Sequence, residues 1–158
     1  MQILSDIAVN FLGKQGFVIV STFNEDGAIH CSAKGIMGIK KEGQVFLIDL
    51  YRANTYNNLK NNPAITITAV DGHLFTGYSL QGTARIVERE EIKQNLIASW
   101  EERVLQRISK RMVQNMKDDK QHGSHHPETM FPLPQYLIEV DVEKVIDLAP
   151  AQLKQVPD

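Results

Sequence analysis

The most informative stretch of the sequence links two predicted strands and reads Asp49-Leu50-Tyr51-Arg52-Ala53-Asn54-Thr55-Tyr56-Asn57-Asn58-Leu59-Lys60-Asn61-Asn62-Pro63. An apolar run ends at its first residues, and a polar turn around Arg52 follows. Residues 54–61 predict a short helix, which must stop at Asn62 because the residue before a proline disfavours the helical conformation. Alternating Ile and Thr residues begin at residue 65, so the pattern predicts strand, turn, helix and strand in that order.

Short strands joined by tight turns lie on both sides of this stretch. The apolar run over residues 17–23 is typical of a strand covered on both faces, and Asp26-Gly27 in the following turn predicts a hairpin. Bulges or bends are expected at Gly77 and Gly82, and a break is expected near Glu143-Lys144. The other strands are predicted over residues 29–35, 45–50, 65–70, 76–88 and 136–148.

The second strand has two different faces, because successive side chains of a strand point to opposite sides. Ser32 and Lys34 belong to the polar face. Cys31 and Ala33 belong to a face of small and apolar residues. A cysteine in such a setting is expected to be a buried and inert thiol.

Two helices are predicted beside the strands, one over residues 2–12 and a long one at about residues 89–117. In the long helix, apolar residues including Trp100 recur at every fourth position and form one apolar row. Short turns between the early strands favour antiparallel pairing. We therefore expect residues 1–158 to form one domain, a small barrel of six strands with helices outside. A polar loop at about residues 118–134 separates the long helix from the last strand.

Composition excludes several classes of protein. The formal net charge is -2, so no excess of positive charge attracts nucleic acid or an anionic membrane. No stretch of 18 apolar residues is present, so no membrane span is expected. The start of the chain does not resemble a secretory signal. A single cysteine rules out an intrachain disulfide, which fits a cytoplasmic protein.

Residues 49–63 resemble the phosphate-binding segment of the pyridoxamine 5'-phosphate oxidase-like FMN-binding split-barrel family, in which a strand end leads into an Asn-Leu-x-x-Asn-Pro helix. The first hairpin, the polar second strand and the kinked strand over residues 82–87 extend the resemblance to about residues 8–88. It implies a mainly β fold, a six-stranded antiparallel split β-barrel with flanking helices. It also implies FMN as the cofactor, bound at the subunit interface of a homodimer.

The resemblance places the FMN phosphate at the start of the short helix, where unpaired N–H groups and the helix dipole favour an anion. It places the isoalloxazine ring against the second strand, with Lys34 as the cation near N1 and O2. The absence of a dinucleotide glycine fingerprint also favours FMN over FAD. The implied cofactor-binding residues are Ser32, Ala33, Lys34, Leu50, Arg52, Asn54, Thr55, Asn58, Gln81 and Thr83.

Simpler interpretations of the same residues remain open. Asn54 would cap a short helix and Arg52 would be a solvated charge. Lys34 would be an exposed lysine on a polar strand face, and Gln81 and Thr83 would lie on a solvated strand face.

Oxidases of the family carry Arg-Lys where this chain has Asn54 and Thr55, so the pattern is closer to small FMN-binding proteins and FMN-linked reductases. Two functions follow from it: an FMN-dependent oxidoreductase with an unknown small substrate, or a non-catalytic FMN electron carrier. Haem or the deazaflavin F420 is the alternative ligand. His122, His125 and His126 match no standard zinc spacing, so no metal site is predicted. The sequence identifies no catalytic residue.

Overall fold

The computed structural model describes residues 1–117 and 130–152. The long helix begins later than expected, after a 3-10 turn at Arg89–Glu91, and most of the polar loop, with His122, His125 and His126, lies outside the described residues. The helices and strands are α1 (Asp6–Gly13), β1 (Phe17–Phe23), β2 (Ile29–Lys40), β3 (Gln44–Asp49), α2 (Asn54–Asn61), β4 (Ala64–Asp71), β5 (Thr76–Glu88), α3 (Gln94–Lys117) and β6 (Tyr136–Asp147).

The six strands form a closed barrel in the order β1-β2-β3-β6-β5-β4, and every neighbouring pair is antiparallel. This architecture confirms the mainly β, six-stranded antiparallel split-barrel class. The pairing of β5 with β6 shifts between Gln81 and Gly82, and Glu143 has no partner in the register there. This irregularity lies where a bend was predicted at Gly82 and a break near Glu143-Lys144. A β-carbon at Gly82 would collide with the carbonyl oxygen of Asp141, so the close approach needs glycine.

The barrel interior is filled by alternate side chains of the strands. In β1, Val18, Val20 and Thr22 point inward and are buried. The prediction that this strand is covered on both faces was wrong, because Phe17 and Ile19 lie on the outer surface and are exposed. An apolar run specifies burial on both sides only where something packs on the outer face, and the residues that the structure describes leave these side chains partly exposed.

The same alternation decides which face of β2 is inside. Lys34 pairs in register with Val18, and Ser32 pairs with Val20, so the polar face of β2 shares the inward side with two core valines. Cys31 therefore lies on the outer side and is exposed, which corrects the expectation of a buried thiol.

The helices close the remaining core. α1 begins after Ser5, whose hydroxyl accepts the N–H of Ala8, so the helix starts later than residue 2. In α3, Trp100 and Val104 pack on Met37 and Ile48 of the sheet. The predicted apolar row of the long helix is thus used to cover the outside of the barrel.

Candidate functional site

The start of α2 presents backbone N–H groups with no side-chain cap. Ala53 holds the N-cap position and has no side chain that could accept a hydrogen bond, and Asn54 is the first helical residue rather than the cap. The first helical bond runs from the N–H of Asn57 to the carbonyl of Ala53, at 3.1 Å. The N–H groups of residues 54–56 precede that bond, and such groups with the helix dipole attract an anion.

Two hydroxyl groups meet beneath this helix start. Ser32 Oγ and Thr55 Oγ1 lie 2.9 Å apart and join β2 to the first turn of α2. Thr55 is only 2% exposed. The pair therefore fixes the helix start to the barrel, and Ser32, which is less buried, is the hydroxyl closer to solvent.

A buried charged network lies next to this pair. Lys34 Nζ is 2.6 Å from Asp49 Oδ2, and the two side chains are 11% and 5% exposed. The hydroxyl of Tyr136 donates to the same oxygen at 2.5 Å. Lys34 is therefore a partnered lysine and not the exposed one of the simpler interpretation.

The phenol of Tyr136 is kept protonated by its surroundings. Burial raises its pKa far above the ordinary value of 10, and the hydrogen bond to Asp49 raises the pKa further. The Tyr136 side chain is fully buried, so its phenolate would have no solvent to stabilise it. Tyr136 acts as a permanent hydrogen-bond donor to Asp49.

Arg52 lies at the rim of the same end of the barrel. Its Nη2 is 2.7 Å from Glu88 Oε2, and its guanidinium carbon lies 5.5 Å from the ring centroid of Tyr56. Tyr56 donates its hydroxyl to the other carboxylate oxygen of Glu88, at 2.6 Å. The Arg52 side chain is 43% exposed, so the cation is held by partners yet remains accessible from solvent.

The remaining predicted residues near α2 have varied surroundings. Asn54 is exposed. The buried amide of Asn58 donates to Thr22 Oγ1 at 3.0 Å and to Asn24 Oδ1 at 2.9 Å, which ties α2 to the first hairpin. Leu50 is half-buried against the cluster around Trp100.

Three predicted residues lie elsewhere on the barrel. Ala33 is on the outer side of β2, opposite to Ser32 and Lys34. Gln81 lines an outer groove of about 360 Å³ together with Ser21 and Phe23. Thr83 donates to Glu143 at 2.6 Å. The structure thus brings Ser32, Lys34, Arg52, Asn54 and Thr55 together at the start of α2 and places Ala33, Gln81 and Thr83 on the outer surface.

Four residues of this cluster were not predicted from the sequence: Asp49, Tyr56, Glu88 and Tyr136. Only Asp49 could have been recognised from the sequence, because a carboxylate at the end of an apolar strand needs a partner when it is buried. Within residues 1–117 and 130–152, no group of three metal-ligating side chains is close enough to hold a metal ion. No helix in those ranges is long and apolar enough to cross a membrane.

Comparisons with known proteins agree with the fold. The sequence model of the family described as pyridoxamine 5'-phosphate oxidase matches residues 4–147. A protein named as a candidate pyridoxamine 5'-phosphate oxidase from Lactobacillus delbrueckii superposes with a TM-score of 0.62, at 17% identity over 91% of this chain and 93% of its own. A search of curated protein sequences finds no significant match.

Two other solved structures share the architecture. HupZ of Group A Streptococcus superposes with a TM-score of 0.62, at 18% identity over 92% of this chain and 94% of its own. An F420 reductase superposes with a TM-score of 0.60, at 15% identity over 90% of this chain and 98% of its own. At these identities the likeness shows a common fold and does not identify a ligand.

Proposed function

This chain belongs to the pyridoxamine 5'-phosphate oxidase family, and we propose that it is an FMN-binding flavoprotein that acts as an oxidoreductase on a small substrate. One observation carries the proposal: the uncapped start of α2 lies beside an accessible arginine and a hydroxyl pair. A phosphate group needs N–H donors, hydroxyl donors and positive charge, and all three are present there.

The residues of this end of the barrel fit a phosphate monoester. Arg52 reaches Glu88 through Nη2, which leaves Nη1 and Nε without a described partner and able to bind a phosphate oxygen. The N–H groups at the start of α2 would bind further oxygens, with Ser32 as a hydroxyl donor. When bound, the flavin supplies the hydride and electron transfer, and the protein supplies binding and orientation.

We further propose that two copies associate through one outer face of the barrel. This outer face consists of Phe17, Ile19 and Phe23 of β1 with Ile29 of β2, which are 41%, 46%, 45% and 67% exposed. Exposed apolar side chains grouped on one face of two paired strands are typical of an interface in soluble proteins. A two-fold dimer would bury the outer face of both copies at once, and a flavin between subunits would then stabilise the dimer.

The cofactor is identified by an absorbance spectrum of the protein as purified and by mass analysis of the compound released on denaturation. FMN is the expected result. A strong Soret band would indicate haem instead, while FAD, F420 or no bound compound would contradict the proposal. Oxidation of NADH or NADPH by the FMN-loaded protein separates an oxidoreductase from an electron carrier.

A further inference from the structure

Asp49 is the residue on which the described contacts near the start of α2 converge. Its Oδ1 accepts the backbone N–H of Leu50 at 2.8 Å and that of Tyr51 at 3.4 Å. Its Oδ2 accepts from Lys34 Nζ at 2.6 Å and from the hydroxyl of Tyr136 at 2.5 Å. Three strands therefore meet at one carboxylate, because Asp49 ends β3, Lys34 belongs to β2 and Tyr136 begins β6.

These contacts control the turn that leads into α2. Asp49 fixes the peptide groups of Leu50 and Tyr51, and the carbonyl of Tyr51 accepts the N–H of Ala53 at 3.0 Å. Ala53 is the N-cap residue of α2. A series of hydrogen bonds thus runs from the buried carboxylate to the N-cap residue of the helix, and Arg52 lies in the turn that these bonds hold.

Only a carboxylate suits this position. All four partners are donors, and a carboxylate presents two oxygens that accept and no hydrogen that would oppose a donor. An asparagine at residue 49 would keep one oxygen for the backbone N–H groups. Its NH₂ group would face the Lys34 ammonium, which would then be buried without an anion.

We propose that Asp49 is the positioning residue of the phosphate subsite, and that it acts on a phosphate monoester by holding the turn over residues 50–53. This inference rests on the proposed function and adds to it the residue that shapes the site without touching the ligand. Lys34 and Tyr136 hold the carboxylate in place, so a buried network sets the direction of the exposed Arg52 and of the N–H groups of α2.

The test compares a ligand that has the phosphate with one that lacks it. Titration with FMN and with riboflavin is carried out on the wild type, Asp49→Asn and Tyr136→Phe. We expect Asp49→Asn to weaken FMN binding about tenfold or more, since a displaced Arg52 would lose a charge-assisted contact with the phosphate that is worth about that much. Riboflavin binding is expected to change less than about threefold. Tyr136→Phe removes one of four donors, so the same selective loss should be smaller.

Asp71→Asn is the matched control. Asp71 also ends a strand and accepts two N–H groups of the following turn, from His73 at 2.9 Å and Leu74 at 3.1 Å, but that turn lies at the far end of β4 from α2. Its substitution should leave both affinities unchanged.

Equal losses for FMN and riboflavin in Asp49→Asn would overturn the inference, because they would show a general structural role. Unchanged FMN affinity would overturn it as well. If Asp49→Asn does not fold, the same comparison of FMN and riboflavin affinities in Tyr136→Phe tests the inference. A wild-type protein that binds neither ligand would overturn the proposed function and this inference together, whereas unselective losses in the variants would overturn the inference alone.

Discussion

The two faces of β2 differ in how their side chains are satisfied. On the inward face, Ser32 is bonded to Thr55 and Lys34 to Asp49, at distances of 2.9 Å and 2.6 Å. On the outward face, Ile29 and Cys31 are exposed in the single chain. Ser32 and Lys34 thus have partners among the described residues, while the described residues leave Ile29 and Cys31 exposed.

The difference shows that polarity does not decide which face of a strand is buried. A lysine can face inward when a buried carboxylate pairs with it there, and in this protein a phenol holds that carboxylate. Apolar side chains can face outward when a second surface covers them.

Asp49→Ala is expected to cause the largest loss of stability. It leaves the Lys34 ammonium buried without its anion, and breaking a buried pair in this way typically costs about 3–5 kcal/mol of unfolding free energy. Urea unfolding at fixed protein concentration measures the change. Ile29→Ala on the outward face is the control; with both substitutions measured in the Ile19→Asp background, where the protein is expected to be a monomer, it should shift the unfolding free energy by about 0.5 kcal/mol or less. Similar values for both variants would remove the distinction between the faces.

Ile19→Asp is expected to prevent association of the outer face. The substitution would place an unpaired carboxylate from each copy in the interface, at a cost of about 2–5 kcal/mol. Light scattering at micromolar concentration should show a dimer for the wild type and a monomer for the variant. Ile7→Asp carries the same change on an exposed position of α1 and should remain a dimer. A monomeric wild type that binds FMN tightly would contradict the shared-interface proposal.

Arg52→Ala is expected to weaken FMN binding without unfolding the protein. Loss of one charge-assisted contact costs about 1.5–3 kcal/mol, or roughly ten- to hundredfold in affinity. The unfolding free energy should change by less than about 1 kcal/mol, since the ion pair with Glu88 lies at the surface with side chains 43% and 34% exposed. Arg85→Ala, which removes another exposed ion pair, is the control for titration. Unchanged affinity in Arg52→Ala would assign the phosphate to the α2 N–H groups and hydroxyls alone.

The smallest effect concerns Tyr136 at high pH. Its pKa is raised in the folded state from the ordinary 10.0, so the folded protein holds this proton more tightly than the unfolded chain does. The stability linked to this proton is therefore complete below pH 10 and declines above it, by up to about 1.4 kcal/mol per pH unit. Unfolding free energies measured between pH 9 and 11 should fall less steeply for Tyr136→Phe. Tyr51→Phe, at an exposed position, should follow the wild type.

Much of the barrel was predictable because local signals agreed with one another. The hairpin after β1, the break opposite Gly82 and the helix that ends before Pro63 each depend on a few neighbouring residues. The prediction of an apolar row that includes Trp100 was also confirmed, because a four-residue period can be recognised without knowing which surface the helix packs on.

The candidate site was predictable only where its residues are close in sequence. The family resemblance assigned Arg52, Asn54 and Thr55 together, and they do lie at the start of α2. Glu88 and Tyr136 were missed because they come from β5 and β6 and meet this helix only after the barrel closes. Ala33, Gln81 and Thr83 were assigned from strand position, and the structure places them on the outer surface.

The order of elements, the antiparallel pairing and the helix after β3 were predictable from sequence alone, because alternation, turns and proline each act over a few residues. The tertiary structure decided which face of β2 points inward, that Cys31 is exposed and that Lys34 pairs with Asp49. Those outcomes depend on strand register and barrel closure. Both bring together residues far apart in sequence, such as Asp49 with Lys34, 15 positions away, and with Tyr136, 87 positions away.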